Sequence, residues 1–105
     1  MQTALLAALM LTATPAVAKQ ACVIVYANDM GAAVTREIRQ HELAHCLGWT
    51  HPAGMDKKRG YGKAYLPPKK FLRAYPGKVY ETPVTTPEAR DRCNGQLGCS
   101  LLVDD

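Results

Sequence analysis

Three observations predict a small α+β domain. The segment from Ala33 to Leu47 has the length and the Gly- and Pro-free interior of a helix. Short runs of β-forming residues stand before and after it. Prolines and glycines then crowd the stretch from His51 to Pro87, which makes the second half rich in turns and loops.

The first element is the run "ACVIVYAND". Val23, Ile24, Val25 and Tyr26 favour a pleated strand, and Asn28, Asp29 and Gly31 close it. The helix follows from about Ala33 to Leu47, with Gly48 as its left-handed stop. Val34 and Ile38 fall near the face of His41 and His45, whereas Leu43 and Leu47 fall roughly opposite. Apolar residues on both sides predict a helix enclosed between two layers. Downstream, "KVYETPV" (Lys78 to Val84) is the second strand. "TTPEARDRC" reads as a short helix with Thr86 as N-cap, Pro87 at the first helical position and Asn94-Gly95 as stop. "CSLLV" is the last strand.

Residues 1–18 read as a signal peptide and not as part of the fold. They carry no charged side chain, are apolar from Ala4 to Leu11, and end in Ala16-Val17-Ala18, small residues at the positions a signal peptidase accepts. Their apolar run, broken by Thr12, Thr14 and Pro15, falls short of the ~20 residues a membrane span needs, and stable membrane insertion is not expected. The predicted exported part, residues 19–105, is one small domain, destined for the periplasm or the exterior. Small domains have modest cores and draw on disulfides or a metal.

Four cysteines, Cys22, Cys46, Cys93 and Cys99, lie in that exported part. They allow three pairings, among which the sequence alone does not choose. Cys46 points about 100° away from His45 on a helix, so a disulfide suits it better than a shared metal. A Cys22–Cys46 staple would join the first strand to the helix end, leaving Cys93 to close a small loop with Cys99. The formal net charge of +4 is uneven: residues 57–78 hold eight basic side chains and no acidic one. Without a nucleic-acid fold signature this reads as a solvated face, and no nucleic acid is expected as partner. An anionic substrate or envelope polymer is the functional version of the same stretch.

All three histidines of the chain fall within residues 41–51. His41 and His45 are one helical turn apart, on one face, and can share an ion. Gly48 lets the chain leave the helix sharply, and His51 can then return under the same ion. Three neutral imidazoles suit Zn²⁺ and leave a fourth position open, which marks a catalytic rather than a structural site. Glu42 adjoins the first ligand and faces that open position.

The pattern is HExxHxxGxxH, with His41, Glu42, His45, Gly48 and His51 filling every specified position. This stretch resembles the zincin metallopeptidases, and the third histidine makes it similar to their metzincin branch. There is also a general likeness to short, cysteine-containing metallopeptidase-like proteins of bacteria and phages, in which a Cys follows the second His. The resemblance implies one Zn²⁺ per chain held by His41, His45 and His51, with Glu42 as general base and acid. It also implies an active-site helix packed on a short twisted sheet, and a strand near the metal that pairs with an extended peptide; Val23 to Tyr26 is the candidate for that sheet. Metzincins carry a methionine turn further along than Met55, which reads first as packing, as do Tyr61 and Tyr65. The expected activity is hydrolysis of peptide bonds in a peptide or protein substrate, with Glu42 relaying the proton of a zinc-activated water. The alternative is a non-catalytic secreted module, stabilised by zinc and disulfides, that binds an anionic envelope component.

Overall fold

The computed structural model describes residues 20–51 and 66–105. The leader reading of residues 1–18, and Met55, Tyr61 and Tyr65, lie outside them. The elements run β1 (Gln20–Ala27), α1 (Ala32–Cys46), a 3-10 turn (Lys69–Phe71), β2 (Val79–Val84), α2 (Thr86–Arg92) and β3 (Gly98–Asp104). Among the described residues, two helices and a three-stranded mixed sheet make the α+β class expected from the sequence.

β1 is the central strand, in the order β2-β1-β3. It pairs in parallel with β2, Ile24 opposite Glu81, and antiparallel with β3, Ile24 opposite Ser100. Its near-continuous apolar run follows from that position, since a strand flanked on both edges and covered on both faces has no side to give to water. Both hydrogen-bonding edges of Val23 to Tyr26 are therefore already taken, and any strand added to the sheet would have to join β2 or β3.

Alternation sorts the layers. Cys22, Ile24 and Tyr26 face α1, where Ile24 and Ile38 are wholly buried. Val25, Ala27, Val84 and Cys99 share the other face, where α2 contributes Ala89 and Cys93 to the core. The far side of α1 is covered as the sequence predicts, but not by a second sheet. Leu43 packs there with Tyr75, whose hydroxyl donates to the Gln20 carbonyl at 2.9 Å.

The helix boundaries follow from local chemistry. Past Cys46, the Gly48 N–H donates to the His45 carbonyl and the Trp49 N–H to the Ala44 carbonyl, at 3.0 and 3.1 Å. This pair of bonds is a Schellman turn, and it needs the left-handed backbone that Gly48 supplies with φ 107°. The α2 cap lies one residue earlier than the sequence reading placed it. Thr85 is extended and its hydroxyl accepts from the Glu88 N–H, whereas Thr86 is already helical. The Thr86 backbone N–H and hydroxyl donate instead to Asp29, in the β1–α1 loop. The acidic side chain thereby stabilises the helix start from a distance, and these bonds hold its carboxyl below the usual range. Asn94 and Gly95 have positive φ and end α2 as expected.

Two disulfides, Cys22–Cys46 and Cys93–Cys99, match the expected pairing and leave no free cysteine. The first ties the centre of the sheet to the end of α1; the second ties α2 to β3. Such bonds persist in an oxidising, non-cytoplasmic compartment. Among the described residues no helix is long and apolar enough to cross a membrane.

Candidate metal centre

His41 and His45 project from the last turns of α1, and the Schellman turn returns the chain so that His51 joins them. The Nε2 atom of His41 lies 3.1 Å from Nε2 of His45 and 3.1 Å from Nε2 of His51. One ligand atom from each ring falls within 4.8 Å of the others. A tetrahedral ion with Zn–N bonds of ~2.0–2.1 Å separates its nitrogens by about 3.3 Å, close to the observed spacing.

Ring protonation supports the same fit. His45 Nδ1 sits 2.7 Å from the Trp49 carbonyl, and only a protonated Nδ1 can use that acceptor. In the neutral ring, Nε2 then presents its lone pair to the cluster, the arrangement in which a backbone carbonyl orients a metal-bound imidazole. Burial, first, and the neighbouring His51 push the His45 pKa down, partly opposed by the Trp49 bond. The neutral form that a metal requires is thereby favoured. These three residues can hold a metal ion.

Trp49 forms the wall. Its indole stacks on His45, with centroids 4.8 Å apart and planes at 21°, and stands edge-on to His41 at 5.0 Å. Trp49 is buried at 8% exposure and His41 at 4%. The cluster is thus assembled from one short stretch of chain, with a rigid aromatic side chain restricting both helical rings.

Glu42 is buried to the same degree, 4%. Burial pushes its carboxyl up to about 7, opposed by a hydrogen bond from Ser100. Ser100 and Gly98 lie on the α1 face of β3, opposite Ile24 and Tyr26. A Cβ at Gly98 would stand 3.1 Å from Glu42 Oε2, 3.0 Å from Ile38 Cγ2 and 2.9 Å from the Val25 carbonyl. The missing side chain therefore makes room for the carboxylate and for close contact between α1 and β3.

All three predicted ligands come together, and Glu42 lies beside them in the chain with its carboxyl against β3. Cys46 is turned away and spent on its disulfide, as its helical position implied. Sequence reasoning missed Trp49, Gly98 and Ser100. Trp49 was detectable as the lone tryptophan inside the motif. Nothing local marks Gly98 or Ser100, because their role depends on which strand lies under α1. The chain matches no known protein family, no curated protein and no solved structure.

Proposed function

We propose that this protein is an exported zinc-dependent metallopeptidase of zincin type, with residues 1–18 as its export signal. The observation that carries the reading is the convergence of three histidine nitrogens, two from α1 and one from the segment after it, with a buried carboxylate next to His41. When bound, Zn²⁺ would supply Lewis acidity, acidifying water and polarising the scissile carbonyl. The chain's own residues do the rest. His41, His45 and His51 fix the ion; the Trp49 carbonyl holds the His45 tautomer; the indole limits access of bulk water. The Glu42 carboxylate takes a proton from the attacking water and delivers it to the departing amine. Ser100 steadies that carboxylate, and the space at Gly98 admits it.

One observation favours a second reading, a non-catalytic module held together by zinc and disulfides. The Ser100 bond to Glu42 is also what a purely structural buried carboxylate would make. The variant Glu42→Gln separates the two, because the amide can still accept from Ser100 but cannot take up a proton at neutral pH. Zinc content and thermal stability should stay near wild type, and cleavage of a diverse peptide library should fall by at least ~10²-fold. Loss of zinc and fold together, or a zinc-loaded wild type that cleaves nothing, would favour the module.

A further inference from the structure

On the side of α1 away from the histidines is a cavity of about 350 Å³, at the lower end of the range for small-molecule sites. Arg39, Leu43, Phe71, Arg73, Tyr75 and Val79 contribute to its lining. At about 100° per residue, Arg39 and Leu43 stand opposite His41 and His45 on the helix. The cavity is therefore distinct from the metal centre, and its existence does not depend on the peptidase reading.

Its interior and its rim differ in chemistry. Leu43 and Tyr75 are buried, and Phe71 and Val79 are half-buried. The Tyr75 hydroxyl donates to the Gln20 carbonyl, and the residue is among those lining the cavity. The rim is cationic. Arg73 is exposed, and its Nε donates to the Lys70 carbonyl at 3.1 Å, which fixes one edge of the guanidinium and leaves the Nη edge for a ligand. Lys70 places its ammonium 5.2 Å from the centre of the Phe71 ring. Arg39 is largely neutralised by Glu81 through Nε and Nη2. Among the described residues, no acidic side chain lines the cavity.

We propose that this pocket binds an amphiphilic carboxylate. The apolar body lies against Leu43, Phe71 and Tyr75; the carboxylate accepts from Arg73, with Lys70 adding charge from beside the Phe71 ring. Charge argues against the other occupants. Residues 52–65 of the chain carry Lys57, Lys58, Arg59 and Lys63 against the single acid Asp56, and a second copy brings a net charge of +4.

The test is a titration of zinc-loaded, ¹⁵N-labelled protein with octanoate, octanol and octylammonium at one ionic strength, read by residue-resolved NMR shifts. Octanoate should give saturable shifts at Leu43, Phe71 and Tyr75, and should bind at least ~tenfold more tightly than the other two probes. Arg73→Gln, at an exposed position, should reduce octanoate to the level of octanol while leaving the rest of the spectrum in place; Arg73→Lys should fall between. Equal binding of octanol and octanoate, or an unaffected Arg73→Gln variant, would overturn the proposal. So would shifts centred on Trp49 and His51, which would mean the carboxylate had gone to the metal. Shifts that track protein concentration without probe would assign the pocket to a second copy and equally overturn it.

Discussion

At the β3 edge of the sheet, Glu42 is enclosed, faces a serine hydroxyl, and is pushed by burial up to about 7. At the β2 edge, Glu81 receives two bonds from the Arg39 guanidinium, at 2.8 and 2.7 Å, and a third from the Tyr26 hydroxyl at 2.7 Å. The Arg39 bond, opposed by partial burial and helped by Tyr26, pulls Glu81 down to about 2. The two glutamates sit on either side of one helix and one central strand, and differ in what surrounds them. A cation and a phenol commit Glu81 to the ionised form and to holding α1 onto β2. Enclosure, with no cationic side chain against it among the described residues, pushes the Glu42 carboxyl up instead. At this fold's edges the surroundings, not the residue type, decide whether a glutamate is held ionised or pushed toward its neutral form.

Both edges hang on the central strand, so releasing it should cost the most. Replacing Cys22 and Cys46 together with alanine frees a crosslink spanning 24 positions, for which loop-closure entropy gives about 3 to 4 kcal/mol. The same exchange at Cys93 and Cys99, with a separation of 6, should cost nearer ~2 kcal/mol. Urea unfolding of the two variants measures the gap, and equal losses would contradict the central role of β1.

Next in size is a pair of substitutions beside Tyr26, which is flanked by Gly98 on one side and Pro83 on the other. Gly98→Ala forces a methyl against the Val25 carbonyl, Ile38 and Glu42, and overpacking of this kind costs about 1–3 kcal/mol. Pro83→Ala, at an exposed site on the edge strand, should stay within ~0.5 kcal/mol of wild type. Thermal unfolding of both distinguishes a tight edge from a tolerant one.

A pH series sharpens the contrast at Glu81. Its folded pKa lies below its ordinary value of 4.5, so its stabilisation is present above that value and is lost as pH falls from there toward about 2. Arg39 and Glu81 are 41% and 32% exposed, and solvent screening reduces the pair to about 1 kcal/mol. Arg39→Gln should lose that amount at neutral pH and converge on wild type near the acid end of the series. A constant difference across the series would show that packing, not charge, is what Arg39 contributes.

The smallest effect is expected at the end of the sheet, where Lys78 before β2 and Asp105 after β3 reach toward each other past β1. Lys78 and Asp105 are 4.0 Å apart and largely solvated, so Lys78→Ala should change stability by less than ~0.5 kcal/mol. Added salt should leave this variant indistinguishable from wild type in the same unfolding assay.

Contacts close in sequence were legible and distant ones were not. The α1 helix, its glycine stop and the three strands are written in local patterns, and each appears within a few residues of its expected bounds. The histidine cluster was legible for the same reason, since helix pitch and one glycine turn suffice to gather residues 41–51. The Cys22–Cys46 pairing could be inferred because strand and helix are adjacent in the chain. By contrast, the bond from Arg39 to Glu81 spans 42 positions, and its existence depends on β2 lying parallel to β1. The Ser100 hydroxyl reaches Glu42 only because β3 pairs on the opposite edge. Strand order is decided by the summed pairing of whole strands, and no single residue announces it. The α2 cap was misplaced by one residue because two adjacent threonines could each fill it, and a distant carboxylate, Asp29, decided between them.

The indole against His45 has a spectroscopic consequence. The chain contains one tryptophan, so all indole emission from the folded protein originates at ring-contact distance from the three histidine nitrogens. An open-shell ion such as Cu²⁺ or Ni²⁺ held there should quench it, whereas closed-shell Zn²⁺ leaves no such decay channel. Quenching of that emission would thus report, without any label, whether an open-shell ion rather than Zn²⁺ has entered the site.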